Sequence, residues 1–235
     1  MSEQKTLLIT ALDVDSAAAA YEIVDRIGSA VNWYKVGKQL FTRVGPELIR
    51  GLKERGKKVF LDLKYHDIPN TVAQAVRSAS AIGVDLVNVH ASGGPTMLKA
   101  SAQAAAETGI CLIAVTVLTS MDQQELAAIG LKISPAEQVV RLALLTQQAG
   151  LAGVVCSAQE IELIQQACGK DFLTIVPGIR PAGAAAGDQK RIMTPAQAAA
   201  AGASYIVVGR PILAAADPAA AAQAIQNELA SSKKL

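Results

Sequence analysis

The chain has 235 residues, a formal net charge of +2 and 51% hydrophobic residues, of which few are aromatic. These values exclude an intrinsically disordered chain and predict one domain over residues 1–235 with a large core. Lysine and arginine are scattered along the chain, so no basic run indicates binding to nucleic acid or to an anionic membrane.

Short apolar runs rich in β-branched residues alternate with alanine- and glutamine-rich segments of helical period. Eight strands are predicted, at Leu7–Leu12, Trp33–Val36, Val59–Leu63, Leu86–Val89, Leu112–Leu118, Gly153–Cys156, Leu173–Val176 and Tyr205–Val208. Helices are predicted between and after them, at Ala17–Ile27, Pro46–Arg55, Thr71–Ile82, Thr96–Thr108, Pro135–Ala149, Ala158–Cys168, Pro195–Ala201 and Pro218–Ala230. This alternation is typical of repeated βα units.

The ends of the predicted helices carry clear signals. Capping residues precede the helix starts at Ser16, Ser134, Thr194 and Asp217, and the last three are followed by proline. Glycine closes four helices before the next strand, at Gly83, Gly109, Gly150 and Gly202. Eight such units in this length predict an α/β fold, the parallel (β/α)8 TIM barrel. A doubly wound open sheet is the alternative, but the G-x-G-x-x-G turn that it normally shows after the first strand is missing.

The three cysteines, Cys111, Cys156 and Cys168, show no C-x-x-C spacing and are interpreted as core residues with free thiols. The polar amino terminus does not resemble a secretory signal, and no run of residues approaches the length of a membrane span. We therefore expect a cytoplasmic protein.

Acidic and basic residues alternate at the end of the third predicted strand. Strand geometry turns Asp62 and Lys64 to the barrel interior, with α-carbons about 6.6 Å apart, so their charges share one pocket. Lys35, near the end of the second strand, and Asp13, after the first, complete an alternating array of acids and bases. The carboxyl ends of barrel strands are where active sites lie, which favours a catalytic interpretation.

Structural explanations stay open for each of these groups. Asp62 and Lys64 form either a catalytic pair or a structural ion pair, although the cost of desolvating a pair that the fold does not need argues against the second. Asp13 is either a ligand contact or a helix cap. The two histidines, His66 and His90, follow strand ends but have no metal-ligand spacing, so a polar loop role is favoured over metal binding.

A glycine-rich, basic segment near the carboxyl terminus predicts a phosphate site. The loop from Pro177 to Met193 contains Arg180 and Gln189, and the last strand is followed by Gly209 and Arg210. Glycine lets backbone N–H groups approach an anion, and the guanidinium fork binds phosphate with two hydrogen bonds. A solvated basic loop is the alternative, but a loop of this length usually serves as a lid.

Together these residues resemble the orotidine 5′-phosphate decarboxylase family, and its bacterial branch most closely. The run from Phe60 to Thr71 contains the family's D-x-K-x-x-D pattern as Asp62, Lys64 and Asp67. Further matches in the same order occur at Ala11–Asp13, Lys35–Gly37, Val89–Gly94, Val117–Met121, Pro177–Pro181, Gly187–Gln189 and Val208–Pro211. The resemblance covers nearly the whole chain.

The resemblance implies conversion of orotidine 5′-monophosphate to uridine 5′-monophosphate and CO2, without metal or organic cofactor. It implies a homodimer with shared active sites, and it assigns roles to twelve residues. Lys64 would protonate C6, beside Asp62, Lys35 and Asp67. The ribose would be contacted by Asp13, Lys35, Asp67 and Thr71. The pyrimidine would be contacted by Thr119 and Ser120, and the phosphate by Arg180, Gln189, Gly209 and Arg210.

Two other functions were considered. The related 3-keto-gulonate 6-phosphate decarboxylases share the barrel and the D-x-K-x-x-D pattern but bind magnesium through a glutamate at the end of the second strand. Here Lys35 stands there, and its positive charge would repel the ion. A catalytically silent nucleotide-binding barrel is disfavoured by Lys64, since binding alone needs no acid in the pocket.

Overall fold

The computed structural model describes residues 6–181 and 193–231. Eight parallel strands close into a barrel in chain order, as predicted for a (β/α)8 fold. They are β1 (Leu7–Ala11), β2 (Trp33–Gly37), β3 (Lys58–Tyr65), β4 (Leu86–His90), β5 (Cys111–Val115), β6 (Gly153–Val155), β7 (Leu173–Val176) and β8 (Tyr205–Val208).

Helices surround the barrel. They are α1 (Ala17–Ile27), α2 (Lys38–Val44), α3 (Glu47–Glu54), α4 (Pro69–Ala81), α5 (Gly94–Thr108), α6 (Gln123–Ala128), α7 (Pro135–Gln148), α8 (Ile161–Cys168), α9 (Pro195–Ala200), α10 (Arg210–Leu213) and α11 (Pro218–Ser231). In the described residues, none of these helices is long and apolar enough to cross a membrane.

Strand alternation produces two apolar layers. Most of the buried hydrophobic side chains lie between the barrel and the helices. A smaller cluster fills the barrel interior, and its fully buried members include Ile9, Phe60, Ile113 and Ile175 from the four odd-numbered strands. Layers contributed by alternate strands are the usual filling of this barrel. The interior below the strand ends is therefore mainly apolar, and a group of charged side chains lies at the mouth.

The predicted helix caps are confirmed. Ser16, Ser134 and Thr194 each accept a hydrogen bond from a backbone N–H in the first turn of the helix that follows, and Asp217 accepts one from Ala220. The four predicted glycines all have positive φ angles, between 74° and 90°, a conformation that costs glycine little. These signals fix where each βα unit turns.

Most predicted boundaries lie within two residues of the observed ones, and α8 begins three residues later than predicted, after a 3-10 turn at Ala158–Glu160. The fifth strand ends at Val115 instead of Leu118, because its neighbours β4 and β6 end at the residues paired with Val115 and no ladder remains beyond it. The segment predicted as one helix at Pro46–Arg55 is preceded by a second helix, α2, and the two are separated by Gly45 with φ 76° and by Pro46. The short helices α6 and α10 were also not predicted.

Candidate active site

Four charged side chains form a continuous array at the carboxyl ends of β1, β2 and β3. Lys64 Nζ lies 2.5 Å from Asp62 Oδ1, and Lys35 Nζ lies 3.7 Å from Asp62 Oδ2. Lys35 Nζ also donates a hydrogen bond to Asp13 Oδ1 at 3.1 Å. The order Asp13, Lys35, Asp62, Lys64 thus alternates in sign, as the sequence pattern predicts. The cap of α1 is Ser16, so Asp13 is not a helix cap.

Burial distinguishes the members of the array. The side chains of Lys35 and Asp62 are 12% and 14% exposed, whereas that of Asp13 is 59% exposed. Burial alone would raise the pKa of Asp62, but the charges of Lys35 and Lys64 and the hydrogen bonds that Asp62 accepts outweigh it. The pKa of Asp62 therefore lies below its usual value, and the carboxylate is ionised at neutral pH.

The backbone at Lys64 is unusual. Among the described residues it is the one non-glycine residue with positive φ, at 53°. The left-handed conformation costs an L-residue about 1–2 kcal/mol. Its N–H donates to Asn88 Oδ1 at 2.8 Å, and Asn88 Nδ2 donates to Asp62 Oδ1 at 2.8 Å. Asn88 is fully buried on β4.

Two cavities of about 190 Å3 each meet at the array, and both are lined by Lys35, Asp62 and Lys64. The first is largely apolar and is completed by Phe60, Val115, Val117, Leu118, Thr119, Val155, Ile175, Pro177 and Val207. The second is more polar and is completed by Leu12, Asp13, Gly37, Lys38, Gln39 and Leu40. An apolar slot beside a polar one suits a flat ring joined to a sugar.

A larger cavity of about 410 Å3 lies at the opposite end of the barrel, at the amino ends of the first three strands. In the described part of its lining, Lys58 is the one charged residue. Active sites of this barrel lie at the carboxyl ends of the strands, so size alone does not make it the candidate site.

Two arginines follow the last two strands. Arg180 is 8% exposed, and its pKa is lowered by burial and by the nearby charge of Arg210. Two guanidinium groups close enough to repel each other are typical of an anion site. Gly209 precedes α10, and a Cβ there would lie 3.2 Å from Asp13 Oδ2, so the position leaves little room for a side chain. Gln189, predicted to join this group, lies outside the described residues.

The remaining predicted residues are not all brought to the array. Thr119 lines the apolar cavity, whereas Ser120 is exposed and lines neither cavity. Asp67 and Thr71 are exposed, and the Asp67 carboxylate accepts a hydrogen bond from the N–H of Ile68 at 2.6 Å. Neither lines the cavities of its own chain.

The two histidines lie together beside the site, with ring centroids 5.4 Å apart. Burial, followed by the charges of His66, Lys38 and Lys64, lowers the pKa of His90 to about 4, so its ring is neutral at pH 7. In residues 6–181 and 193–231, no three His, Cys, Asp or Glu side chains are grouped as metal ligands would be.

Sequence reasoning missed Asn88. It lies within the run Leu86–Val89, whose apolar character predicted a strand and drew no attention to its single amide. The sequence did contain a signal for Asn88, since an amide side chain within a buried strand must have hydrogen-bond partners.

Comparison with known proteins places this geometry in a family. The family model described as orotidine 5′-phosphate decarboxylase / HUMPS matches residues 6–225. The chain belongs to the orotidine 5′-phosphate decarboxylase / HUMPS family. It is 55% identical over 234 residues to an orotidine 5′-phosphate decarboxylase of Vibrio campbellii, with 98% of this chain and 100% of that protein covered.

Other members of the orotidine 5′-phosphate decarboxylase family agree in length and shape. The enzyme of that name from Moorella thermoacetica is 52% identical, with 96% of this chain and 92% of that protein covered. A crystal structure of orotidine 5′-phosphate decarboxylase from Lactobacillus acidophilus superposes with a TM-score of 0.85 at 38% identity, covering 96% of this chain and 99% of that one. The family resemblance carried by the sequence motifs is confirmed.

Proposed function

We propose that this protein decarboxylates orotidine 5′-monophosphate to uridine 5′-monophosphate and CO2, the last step of de novo pyrimidine biosynthesis. The observation that carries the proposal is the Asp62–Lys64 pair facing a cavity at the mouth of a barrel of this family. We further propose that residues 1–235 form one domain and that the protein works in the cytoplasm.

The reaction needs electrostatic help. Loss of CO2 leaves an electron pair at C6 in the plane of the pyrimidine ring, where the π system cannot delocalise it. A cation close to C6 stabilises the developing carbanion, and the same group can then transfer its proton to C6. Lys64 is the residue that we assign to both steps, because its side chain lines the apolar cavity. No step of this chemistry calls for a metal ion or an organic cofactor.

Asp62 has two possible roles in this account. Its carboxylate, 2.5 Å from Lys64 Nζ, either holds the ammonium in place or repels the substrate carboxylate and so raises the energy of the bound ground state. Both roles need Asp62 ionised, and its lowered pKa agrees with that requirement.

The other assigned residues divide by the part of the nucleotide they would contact. Asp13 and Lys35, which line the polar cavity, are assigned to the ribose. Thr119 and its neighbour Ser120 are assigned to the pyrimidine. The phosphate is assigned to Arg180, Gln189, the Gly209 backbone and Arg210. Binding energy gathered at the phosphate helps to close the site and to exclude water.

We propose that the active sites are shared in a homodimer. Asp67 and Thr71 are assigned to the ribose of the neighbouring subunit's substrate. Their exposure and their position outside the cavities of their own chain support this assignment, since residues serving a neighbour must face outward. Ile68, between them in sequence, is 68% exposed, as expected of an apolar residue that a partner covers.

An absorbance assay tests the proposed activity. Purified protein is mixed with orotidine 5′-monophosphate in the presence and absence of a metal chelator, and loss of the substrate's absorbance is followed. We expect turnover at the same rate in both samples. No turnover would contradict the proposed reaction, and turnover that the chelator abolishes would contradict the metal-free mechanism.

Replacing Arg210 with alanine should weaken phosphate recognition selectively. Charge-assisted hydrogen bonds contribute about 1.5–3 kcal/mol, so kcat/KM for orotidine 5′-monophosphate should fall about 10- to 150-fold. Turnover of the bare nucleoside orotidine should change little, because it has no phosphate. As a control, Arg50→Ala removes an exposed guanidinium on α3 that pairs with Glu47. Equal losses for both substrates in the Arg210 variant would rule out its assigned role.

Mixing two inactive variants tests the shared site. A hybrid dimer of Lys64→Ala and Asp67→Ala chains has one site with both residues intact, so an equilibrated equal mixture should recover about a quarter of wild-type activity. Lys64→Ala mixed with Asp62→Asn is the control, because both residues serve the same site from the same chain and no intact site can form. If the first mixture recovers no more activity than the control, the active sites are not shared.

A further inference from the structure

The carboxamide of Asn88 connects the two ends of the Asp62–Lys64 pair. It has no exposed surface, and burying an amide is favourable only when its donor and acceptor are both used. Its Oδ1 accepts from the Lys64 backbone N–H, and its Nδ2 donates to Asp62 Oδ1, each at 2.8 Å. One side chain therefore fixes both residues on which the proposed chemistry depends.

The backbone of β3 is irregular at this point. Leu61 pairs with Val87 and Tyr65 pairs with Val89, so three residues of β3 stand opposite Asn88 alone. The extra residues bulge, and Lys64 takes its left-handed conformation there. Bulges remove ladder hydrogen bonds and re-aim side chains, and they are often found beside active sites. The Asn88 side chain supplies the acceptor that the Lys64 N–H would otherwise lack.

The same amide orients the Asp62 carboxylate. Oδ1 accepts from both Asn88 Nδ2 and Lys64 Nζ, which leaves Oδ2 turned to Lys35. An apolar residue at position 88 would leave both Lys64 N–H and Asp62 Oδ1 with one partner fewer. The barrel itself has no need of the bulge, because a regular strand pair would keep every ladder hydrogen bond and avoid the strain at Lys64.

We infer that Asn88 is a positioning residue for the decarboxylation, whose carboxamide holds the left-handed turn at Lys64 and the orientation of Asp62 so that the ammonium faces the cavity. This inference rests on the proposed function. Asn88 does not line either cavity, so it acts through Asp62 and Lys64 rather than by touching the nucleotide.

The first test is Asn88→Leu, which keeps the volume of the side chain and removes both hydrogen bonds. Misplacement of a catalytic group by about 1 Å can cost about 100-fold in rate, so kcat should fall about 100-fold. KM and the dissociation constant for uridine 5′-monophosphate should change less than about threefold, because the variant leaves the nucleotide contacts in place. Thr174→Val on β7 is the matched control, since Thr174 is also fully buried on a strand and hydrogen-bonds Ser204.

A second variant, Asn88→Asp, gives a readout that a merely structural role would not move. When the introduced carboxyl is protonated, its carbonyl can accept from the Lys64 N–H and its hydroxyl can donate to Asp62, as the amide does. When it is ionised, it repels Asp62. The groups around this position are Asp62 and Lys64 on β3, the apolar Ile113 on β5 and His90 on β4 itself. Lys35 on β2 pairs with Asp62.

The ratio of variant to wild-type kcat should therefore rise as pH falls, by about tenfold between pH 8 and pH 5.5, because burial beside an anion raises the pKa of a carboxyl group. If Asn88→Leu fails to fold, the pH dependence of Asn88→Asp still tests the inference. A pH-independent ratio for Asn88→Asp, or a folded Asn88→Leu with wild-type kcat, would overturn the positioning role. If the wild-type protein does not decarboxylate orotidine 5′-monophosphate, the proposed function fails and the role of Asn88 fails with it.

Discussion

Replacing Lys64 with alanine should lower kcat for orotidine 5′-monophosphate by about 10⁴-fold or more. In the proposed mechanism the variant loses both the proton donor and the cation that stabilises the carbanion. In enzymes the first effect contributes about 10²- to 10⁴-fold and the second about 10²- to 10³-fold. Binding of uridine 5′-monophosphate should remain measurable, because the residues that we propose for the phosphate and ribose contacts are unchanged. Single-turnover kinetics and calorimetric titration with the product measure the two effects separately.

The control for this variant is Lys58→Ala. Lys58 begins the same strand at the opposite end of the barrel, where its ammonium lies over the ring of Trp33. Both variants lose a lysine from β3, and only Lys64→Ala changes the mouth of the barrel. A Lys64→Ala protein with near-wild-type kcat would contradict the assignment of Lys64 as proton donor.

Replacing Asp62 with asparagine should lower kcat by about 10²- to 10³-fold, because the two lysines then lose the carboxylate that separates them. If Asp62 repels the substrate carboxylate, KM for orotidine 5′-monophosphate should fall together with kcat. If Asp62 only holds Lys64, KM should stay the same or rise. Steady-state kinetics with the substrate, beside titration with the product, separate these two roles.

The same substitution should lower the free energy of unfolding by up to about 3 kcal/mol. This value is the lower end of the range for removing one partner of a buried ion pair, because these side chains keep some contact with solvent. The pKa of Asp62 is lower in the folded protein than its ordinary value of 3.8, so its stabilising contribution is present above about pH 4 and is lost as pH falls. The difference in free energy of unfolding between wild type and variant should therefore shrink in acid.

Asp85→Asn is the matched control for both measurements. Asp85 accepts hydrogen bonds from Lys53 Nζ at 2.6 Å and from the Val59 N–H at 2.8 Å, at the amino end of β3 and far from the mouth. Its loss should reduce stability and leave kcat unchanged. A kcat loss in Asp85→Asn as large as in Asp62→Asn would mean that the effect at Asp62 is one of folding and not of catalysis.

Much of the fold follows from local sequence signals. The short apolar runs located all eight strands, and the capping residues and the glycines with positive φ marked where helices begin and end. These signals are strong because each depends on neighbours in sequence. The end of β5 could not be read in this way, since the strand stops where its partners stop, and that is decided by residues far along the chain.

The short helices α2, α6 and α10 escaped prediction for a related reason. Each has four to seven residues, too few to show a helical period, and α2 and α10 begin without a side-chain cap. Helices this short are stabilised by packing more than by intrinsic propensity. For α2 and α10, formation is settled by tertiary contacts that a local pattern does not contain, whereas α6 begins with a local capping box of Asp122 and Glu125.

For the site, the sequence predicted the alternating array because strand geometry fixes which side chains point inward. It could not predict the bulge at Lys64, which depends on the side chain of Asn88 on the next strand. Nor could spacing reveal that Asp67 and Thr71 face away from the cavities of their own chain. That expectation came from the family resemblance, and its test requires two chains.

The most direct test of the central claim is a crystal structure of the protein with uridine 5′-monophosphate bound. We expect C6 of the pyrimidine within about 3.5 Å of Lys64 Nζ, the distance of a reacting pair, with the phosphate held by Arg210. A nucleotide bound with C6 turned away from Lys64, or bound elsewhere than the barrel mouth, would contradict it.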